Sequence, residues 1–211
     1  MAASDPLLIL ASTSPRRREL LKRLGLPFQV ERPQAVERRR PGEAPGELVE
    51  RLAREKAEAV ASRWGRQAGA EPGHGQEEQR RLVIGADTVV VLDGEILGKP
   101  KDLEDAKQML RRLSGRTHEV YTGVAVLETP WPGGPELVEH EVTRVTFRPL
   151  TSAMIEHYVA SGEPMDKAGA YGVQGLGSVI VSHIDGCFFN VVGLPLPRLA
   201  QMLERLGQPV L

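Results

Sequence analysis

The first twenty-five residues impose an order on whatever this chain folds into. Leu7–Ala11 is an unbroken apolar run, short enough for a buried strand, and Ser12–Pro15 breaks it. Proline suits the first helical position, where its missing N–H costs nothing. Leucines at 20, 21 and 24, with Gly25 behind them, extend and then stop a helix. Strand, tight loop and helix must therefore succeed one another within this stretch. With Ser14 as the cap, Arg16 and Arg17 fall in the first helical turn, at the positive end of the helix dipole. Each cation there costs about 0.3–1 kcal/mol unless an anion offsets it. Backbone donors, the hydroxyls of Ser12, Thr13 and Ser14, and two guanidiniums together describe an anion site of the phosphate kind. A plain capped helix with a solvated basic face accounts for Arg18, Lys22 and Arg23, and less well for Arg16 and Arg17. The loop is not GxxxxGK[ST], and no GxGxxG follows the strand, so neither a Walker loop nor a dinucleotide fingerprint is supported.

Further along, Phe28–Val30 reads as extended and 31–46 as a polar, proline-rich loop. Residues 47–64 predict a strong helix with Leu48, Leu52 and Val60 on one face. The stretch 65–81 has Gly, Pro, Gln and Glu without periodicity, and reads as a mobile surface insertion. A strand through VIGADTVVVL follows, turned at Asp93-Gly94 into a second strand at Glu95–Leu97. Asp102 caps a helix to Leu113, closed by Gly115. Two long alternating strands, 117–128 and 136–148, flank a Pro/Gly loop at 130–135. Thr151 or Ser152 caps a helix to about Ala160. After a glycine-rich segment at 161–177, strands are expected near 178–184 and 187–192, then a helix over 196–206. Helices and strands mix without regular βαβ alternation, which predicts a single α/β or α+β domain over 1–211 with a mixed sheet.

Charge and composition narrow the function classes. Basic and acidic residues number 27 and 28, so the chain is no wholesale nucleic-acid or membrane binder, and any anion site must be local. Cys187 is the only cysteine, which leaves no disulfide framework and no cysteine-based zinc site. The five histidines show no HExxH or paired spacing. The N-terminus lacks the basic and apolar regions of a signal peptide, and no segment approaches the ~20 apolar residues of a membrane helix. Cytoplasm is the expected location.

Two polar residues sit where apolar ones belong. Asp87 interrupts VIGADTVVV, and a carboxylate buried there needs a partner. A metal ion or an attacking water is one candidate; backbone donors at a strand break near Gly85 are the other, and the two readings stand even. Lys56 takes the i+4 step in the apolar series Leu48, Leu52, Lys56, Val60, so it either snorkels past the core edge or points into a cleft. Lys99, in LGKP, and Glu37, before Arg38–Arg40, read locally as ordinary surface charge. The glycine-rich run 165–178 lets backbone approach a ligand closely, though an ordinary loop has the same composition.

Taken together and in order, ASTSPRR, LAREKA, IGADTVV, GEILGKP, MLRRLSGRTHEVYTGV, SGEPMDKAGAYGVQGLG and VVGLPL resemble the Maf family of nucleoside triphosphate pyrophosphatases. The resemblance covers nearly the whole chain apart from 65–81 and 130–135. It implies hydrolysis between the α and β phosphates with a divalent metal, Mg²⁺ or Mn²⁺. It implies an elongated mixed sheet flanked by helices, with a cleft between two lobes, similar to inosine-triphosphate pyrophosphatases. By that resemblance Asp87 is the proton acceptor, Ser12, Arg16 and Arg17 bind phosphate, and Glu37, Lys56 and Lys99 are further polar positions of the active cleft. Asp87, Lys56 and Lys99 then form the catalytic set, and Asp87 with Glu37 the metal ligands. The subgroup acting on dTTP and UTP carries Arg, Thr and Gln at its specificity positions, matched here by Arg16, Thr88 and Gln174. The sibling subgroup acting on 7-methyl-GTP carries Trp, Gln and Glu instead. Gly98 stands where some members have Glu. The resemblance further implies a homodimer, a nucleoside triphosphate as partner and clearance of aberrant nucleotides. A nucleotide-binding regulator of septum formation with little turnover is the competing class. An inosine or xanthosine triphosphate hydrolase is a third reading.

Overall fold

A computed structural model of the chain describes residues 6–67 and 80–211. Its strands are β1 (Leu7–Ala11), β2 (Phe28–Glu31), β3 (Arg81–Leu92), β4 (Glu95–Leu97), β5 (Thr117–Glu128), β6 (Glu136–Phe147) and β7 (Val181–Asp185). Its helices are α1 (Pro15–Lys22), α2 (Pro45–Gln67), α3 (Leu103–Leu113), α4 (Ser152–Ala160), α5 (Phe188–Val192) and α6 (Leu196–Arg205). The strands order as β2-β1-β3-β5-β6-β7, with β4 on β3. β1 runs parallel to β2 and β3, whereas β4 on β3 and β7 on β6 are antiparallel. This is the mixed sheet expected from helices and strands that follow one another without regular βαβ alternation. Of the expected insertion at 65–81, residues 68–79 lie outside the described residues, α2 reaches Gln67, and β3 opens at Arg81. No helix among the described residues is long and apolar enough to cross a membrane.

The described chain divides into two compact units, each built from separated segments. The first takes residues up to Asp87, Gly123–His140 and Leu196–Leu211. Ile9, Ala11, Val83, Ala125 and Leu127 from the strands pack there against Ala53, Ala57, Val60 and Ala61 of α2. Small residues on both sides let helix and strands approach backbone to backbone. A methyl group at Gly85 would stand 2.1 Å from the Ala53 carbonyl oxygen, and one at Gly123 would stand 2.2 Å from that of Val49. Two charged contacts close the unit's margin: Arg80 forks onto Glu128 at 2.7 and 2.8 Å, and Arg198 reaches Glu139 at 2.7 Å.

The second unit takes Thr88–Thr122 and Glu141–Pro195. Its core joins Val90, Leu92, Leu97, Val120, Val145 and Phe147 to Leu110 and Leu113 of α3 and to Ile155 and Val159 of α4. His118, Phe147 and Tyr171 meet edge to face there, with centroids 4.7–5.2 Å apart. His118 Nε2 and the Tyr171 hydroxyl lie 2.7 Å apart. Burial pushes the His118 pKa down to about 4. The unfolded chain therefore binds a proton that the folded chain refuses between about pH 6.5 and 4. This stabilisation is complete above the unfolded value and lost as pH falls toward the folded one. The loss should approach about 3 kcal/mol. Urea unfolding across pH 7 to 4 should show this slope, and a His118→Phe variant should lack it; equal slopes in both proteins would contradict the assignment.

One expected strand is a helix. Residues 187–192 are expected as a strand after the Asp185-Gly186 turn, yet Phe188–Val192 forms α5. Asn190 explains the difference. Fully buried, it donates from Nδ2 to the Val120 carbonyl at 3.0 Å and to Thr143 Oγ1 at 2.9 Å. Its own carbonyl accepts from the Thr122 hydroxyl at 3.0 Å. Tertiary hydrogen bonds thus outweigh local β-propensity. Nearby, the strand expected from 178 begins only at Val181, because Gly175–Val179 winds into a 3-10 turn.

Candidate active site

The loop between β1 and α1 forms as its sequence predicts. Ser14 caps the helix, its Oγ accepting the Arg17 N–H at 3.4 Å, and Pro15 opens the first turn. Ser12 is buried, and its Oγ accepts the Ser14 N–H at 3.1 Å, which tightens the loop. The first turn carries no acidic residue of its own, and Arg16 and Arg17 fall there at the dipole's positive end. Arg18 is exposed, in keeping with a solvated face.

Beside this loop lies Asp87. β1 and β3 are parallel with Ala11 opposite Gly85, so Ser12 leaves β1 where Ala86 and Asp87 continue β3. Ligand sites of α/β sheets favour such carboxyl ends of parallel strands. Residues 85 and 87 share one strand face. Gly85 on that face touches Ala53 and Ala57 of α2, which brings Asp87 toward the same helix. There it meets Lys56. The ammonium lies 2.5 Å from Asp87 Oδ1 and 2.7 Å from Glu37 Oε1. Lys56 is 6% exposed and Asp87 7%, so the lysine does not snorkel: its charge stays inside, paired.

Glu37 reaches this position from an irregular segment that α2 holds by two arginines. Arg63 bonds the Glu31 carboxylate at 3.3 Å and the Arg32 carbonyl at 3.0 Å. Arg51 grips Glu43 at 2.5 and 2.6 Å, Glu55 at 3.0 Å and the Arg38 carbonyl at 3.0 Å. Residues 51, 56 and 63 thus fasten the segment to one helix, with Glu37 itself half exposed. Neither arginine was anticipated; the only sequence signal was the Arg51–Glu55 i,i+4 spacing.

Arg17 completes the cluster electrostatically. Burial pulls its pKa below the ordinary arginine value; Asp87 and Glu37 pull it back up, and Arg16 adds to the depression. Arg17, Glu37, Lys56 and Asp87 are therefore one neighbourhood, with Ser12 and Arg16 on the adjoining loop and helix start. A polyanion satisfies the cations, and a divalent ion suits the carboxylates. No group of three or more His, Cys, Asp or Glu able to hold a metal gathers among the described residues, so there is no all-protein cage. Asp87 and Glu37 instead fit a hard cation that takes one or two carboxylates and completes its shell with phosphate oxygens and water.

The remaining expected residues belong to the second unit. Thr88 Oγ1 lies 3.0 Å from Thr122 Oγ1, and Thr122 in turn bonds the Asn190 carbonyl. Lys99 follows β4 beside the buried Pro100 and is exposed, with no ion pair among the described residues. Gln174 is half buried and precedes the 3-10 turn Gly175–Val179.

A family model described as "Maf-like protein" matches residues 7–206. A Symbiobacterium thermophilum protein named dTTP/UTP pyrophosphatase is 51% identical over 203 residues, covering 96% of this chain and 95% of that one. Its Moorella thermoacetica counterpart, of the same name, is 52% identical over 206 residues, 96% of each. A Myxococcus xanthus protein, again so named, is 49% identical over 210 residues, covering all of this chain and 97% of its own length. Among solved structures, the Staphylococcus aureus Ham1 protein aligns with a TM-score of 0.49 at 16% identity, over 94% of this chain and 98% of that one.

Proposed function

This chain belongs to the Maf family, and on that premise we propose that it hydrolyses dTTP and UTP to the monophosphate and pyrophosphate. The observation that carries the reading is the Lys56 ammonium buried between Asp87 and Glu37, within electrostatic reach of Arg17. Buried charge held beside a cationic helix start gives both a place for a polyanion and carboxylates for a divalent ion.

Arg16, Arg17 and the Ser12 loop grip the triphosphate, their fixed donors meeting its charge without reorganisation. Mg²⁺ or Mn²⁺ held by Asp87 and Glu37 would, when bound, neutralise phosphate oxygens and orient the chain. Asp87 accepts the proton of a water that attacks the α-phosphorus. The new P–O bond forms as the bond to the bridging α–β oxygen breaks, and that oxygen leaves with pyrophosphate. Lys56 holds Asp87 in place and adds positive charge where the transition state gathers negative charge. Lys99 is assigned to phosphate, and Thr88 and Gln174 with Arg16 to the pyrimidine base, on the strength of the family resemblance. Clearance of aberrant nucleotides, a cytoplasmic location and a homodimeric state form part of the same reading.

A panel of dTTP, UTP, CTP, ITP and 7-methyl-GTP tests the proposal through pyrophosphate release with Mg²⁺ and with EDTA. Release should be fastest from dTTP and UTP and fall by at least about 10²-fold without metal, whose charge stabilisation is worth several kcal/mol. ITP outrunning both pyrimidines would overturn the base assignment. Tight binding without release would favour the regulatory reading.

A further inference from the structure

The segment that carries Gln174 is held by a carboxylate to which no role has been assigned. Glu163 follows α4 in a 3-10 turn, and its carboxylate turns back toward residues 172–177. Oε2 accepts the Leu176 N–H at 2.9 Å, while Oε1 accepts the Gly177 N–H at 3.1 Å and the Tyr158 hydroxyl at 2.9 Å. The Tyr158 oxygen in turn accepts the Gly172 N–H at 3.1 Å. Backbone donors on both sides of Gln174 are therefore tied to two side chains.

Packing makes the clamp tight. Gly175 has φ +64, and a methyl group there would stand 2.6 Å from Glu163 Oε2. At Gly177 a methyl group would lie 2.0 Å from the Gly172 carbonyl oxygen and 2.6 Å from the Tyr158 hydroxyl. The clamp is itself anchored, since Lys167 Nζ donates to the Glu163 carbonyl at 2.5 Å and Ser161 Oγ accepts the Glu163 N–H at 3.2 Å. Burial pushes the Glu163 carboxyl pKa up, but the hydrogen bonds from Gly177, Tyr158 and Leu176, with Lys167, outweigh it and leave the group below the ordinary range. Three donors converging on one carboxylate favour its ionised form. An amide side chain at 163 has one acceptor oxygen in place of two and cannot serve donors at both positions.

We propose that Glu163, with Tyr158, is a positioning residue for base selectivity, holding the 172–177 backbone so that Gln174 presents its amide in one orientation. The inference rests on the reading of Gln174 as a base contact. Selectivity built on hydrogen bonds is lost when the donor or acceptor moves, because the site then no longer penalises the wrong partner. On this proposal Glu163 acts through Gln174.

The test is a double-mutant cycle of Glu163→Gln and Gln174→Ala, with kcat and KM measured for dTTP, UTP, CTP and ITP alongside the thermal midpoint. In Glu163→Gln the ratio of kcat/KM for dTTP over ITP should fall about 10-fold, mainly through KM for dTTP, as expected when a positioned hydrogen bond is loosened. In the Gln174→Ala background the same substitution should change that ratio by less than about 2-fold, since residues acting through one another are not additive. An unchanged ratio in Glu163→Gln, or an equal fall in both backgrounds, overturns the proposal. Should Glu163→Gln fail to fold, Tyr158→Phe removes one hydroxyl from the clamp and must show the same shift in ratio; no shift there overturns it equally. If the wild type prefers a base other than pyrimidine, the function proposed above fails, while the cycle still reads Glu163 against whichever preference is found.

Discussion

An Asp87→Asn enzyme should keep its fold and lose about 10³-fold in kcat for dTTP, the middle of the range for removing a general base. The substitution is isosteric and deletes one thing, the capacity to take a proton. Its surroundings limit collateral damage. Lys56, which would otherwise be stranded as a buried charge, still has Glu37 at 2.7 Å. An amide oxygen at 87 can still accept from the ammonium now 2.5 Å from Oδ1. Breaking a buried pair outright costs ~3–5 kcal/mol; with a second carboxylate in place the cost should stay well below that. Arg17, whose depressed pKa is held up chiefly by Asp87, loses part of that support but remains charged. The decisive comparison is therefore kcat against the thermal midpoint in one protein preparation. Near-normal turnover in a folded Asp87→Asn protein would remove Asp87 from the proton-transfer role.

How much of this site was visible in the sequence depends on how local each determinant is. The Ser14 cap and Pro15 are set by their immediate neighbours, and both stand where the sequence puts them. Lys56 was visible as an anomaly in an apolar stripe, but choosing between snorkelling and burial required knowing that Glu37 arrives from another segment. That arrival depends on Arg51 and Arg63, whose partners lie up to 32 positions away in the chain. Local charge patterning cannot reveal such pairs, so Glu37 read as solvated charge. Asp87 read evenly between a strand-break carboxylate and a functional one, because the close approach of α2 at Gly85 is a tertiary fact. Glu163 was missed for the same reason: its acceptors serve N–H groups 13 and 14 residues on. The reverse holds at 187–192, where an expected strand is largely helix because Asn190 is fastened by neighbouring strands.

Gly85→Ala should strongly destabilise the first unit. The added methyl would stand 2.1 Å from the Ala53 carbonyl oxygen, 2.9 Å from the Ala57 nitrogen and 3.0 Å from the Ala57 methyl. None of these is the far end of a flexible side chain, so relief requires α2 to move off β3 as a body. Overpacking that forces side-chain and backbone shifts typically costs ~1–3 kcal/mol, and with backbone on the near side of the clash the loss should lie at the upper end, about 3 kcal/mol. Alanine's smaller unfolded-state entropy would return only about 0.4–1 kcal/mol. The consequence reaches the chemistry, because the Gly85 face of β3 is also the Asp87 face, and Ala57 adjoins Lys56. A helix displaced to admit one methyl group lengthens the 2.5 Å Lys56–Asp87 contact and carries with it the arginines that fasten Glu37. Urea unfolding of Gly85→Ala should therefore show a lowered midpoint, and any folded fraction should have reduced kcat. Gly94→Ala is the control, since a methyl group there meets nothing within 4 Å and pays only for its φ of +78. If Gly85→Ala unfolds at the wild-type midpoint, α2 does not pack on β3 through this glycine, and the placement of Lys56 beside Asp87 falls with it.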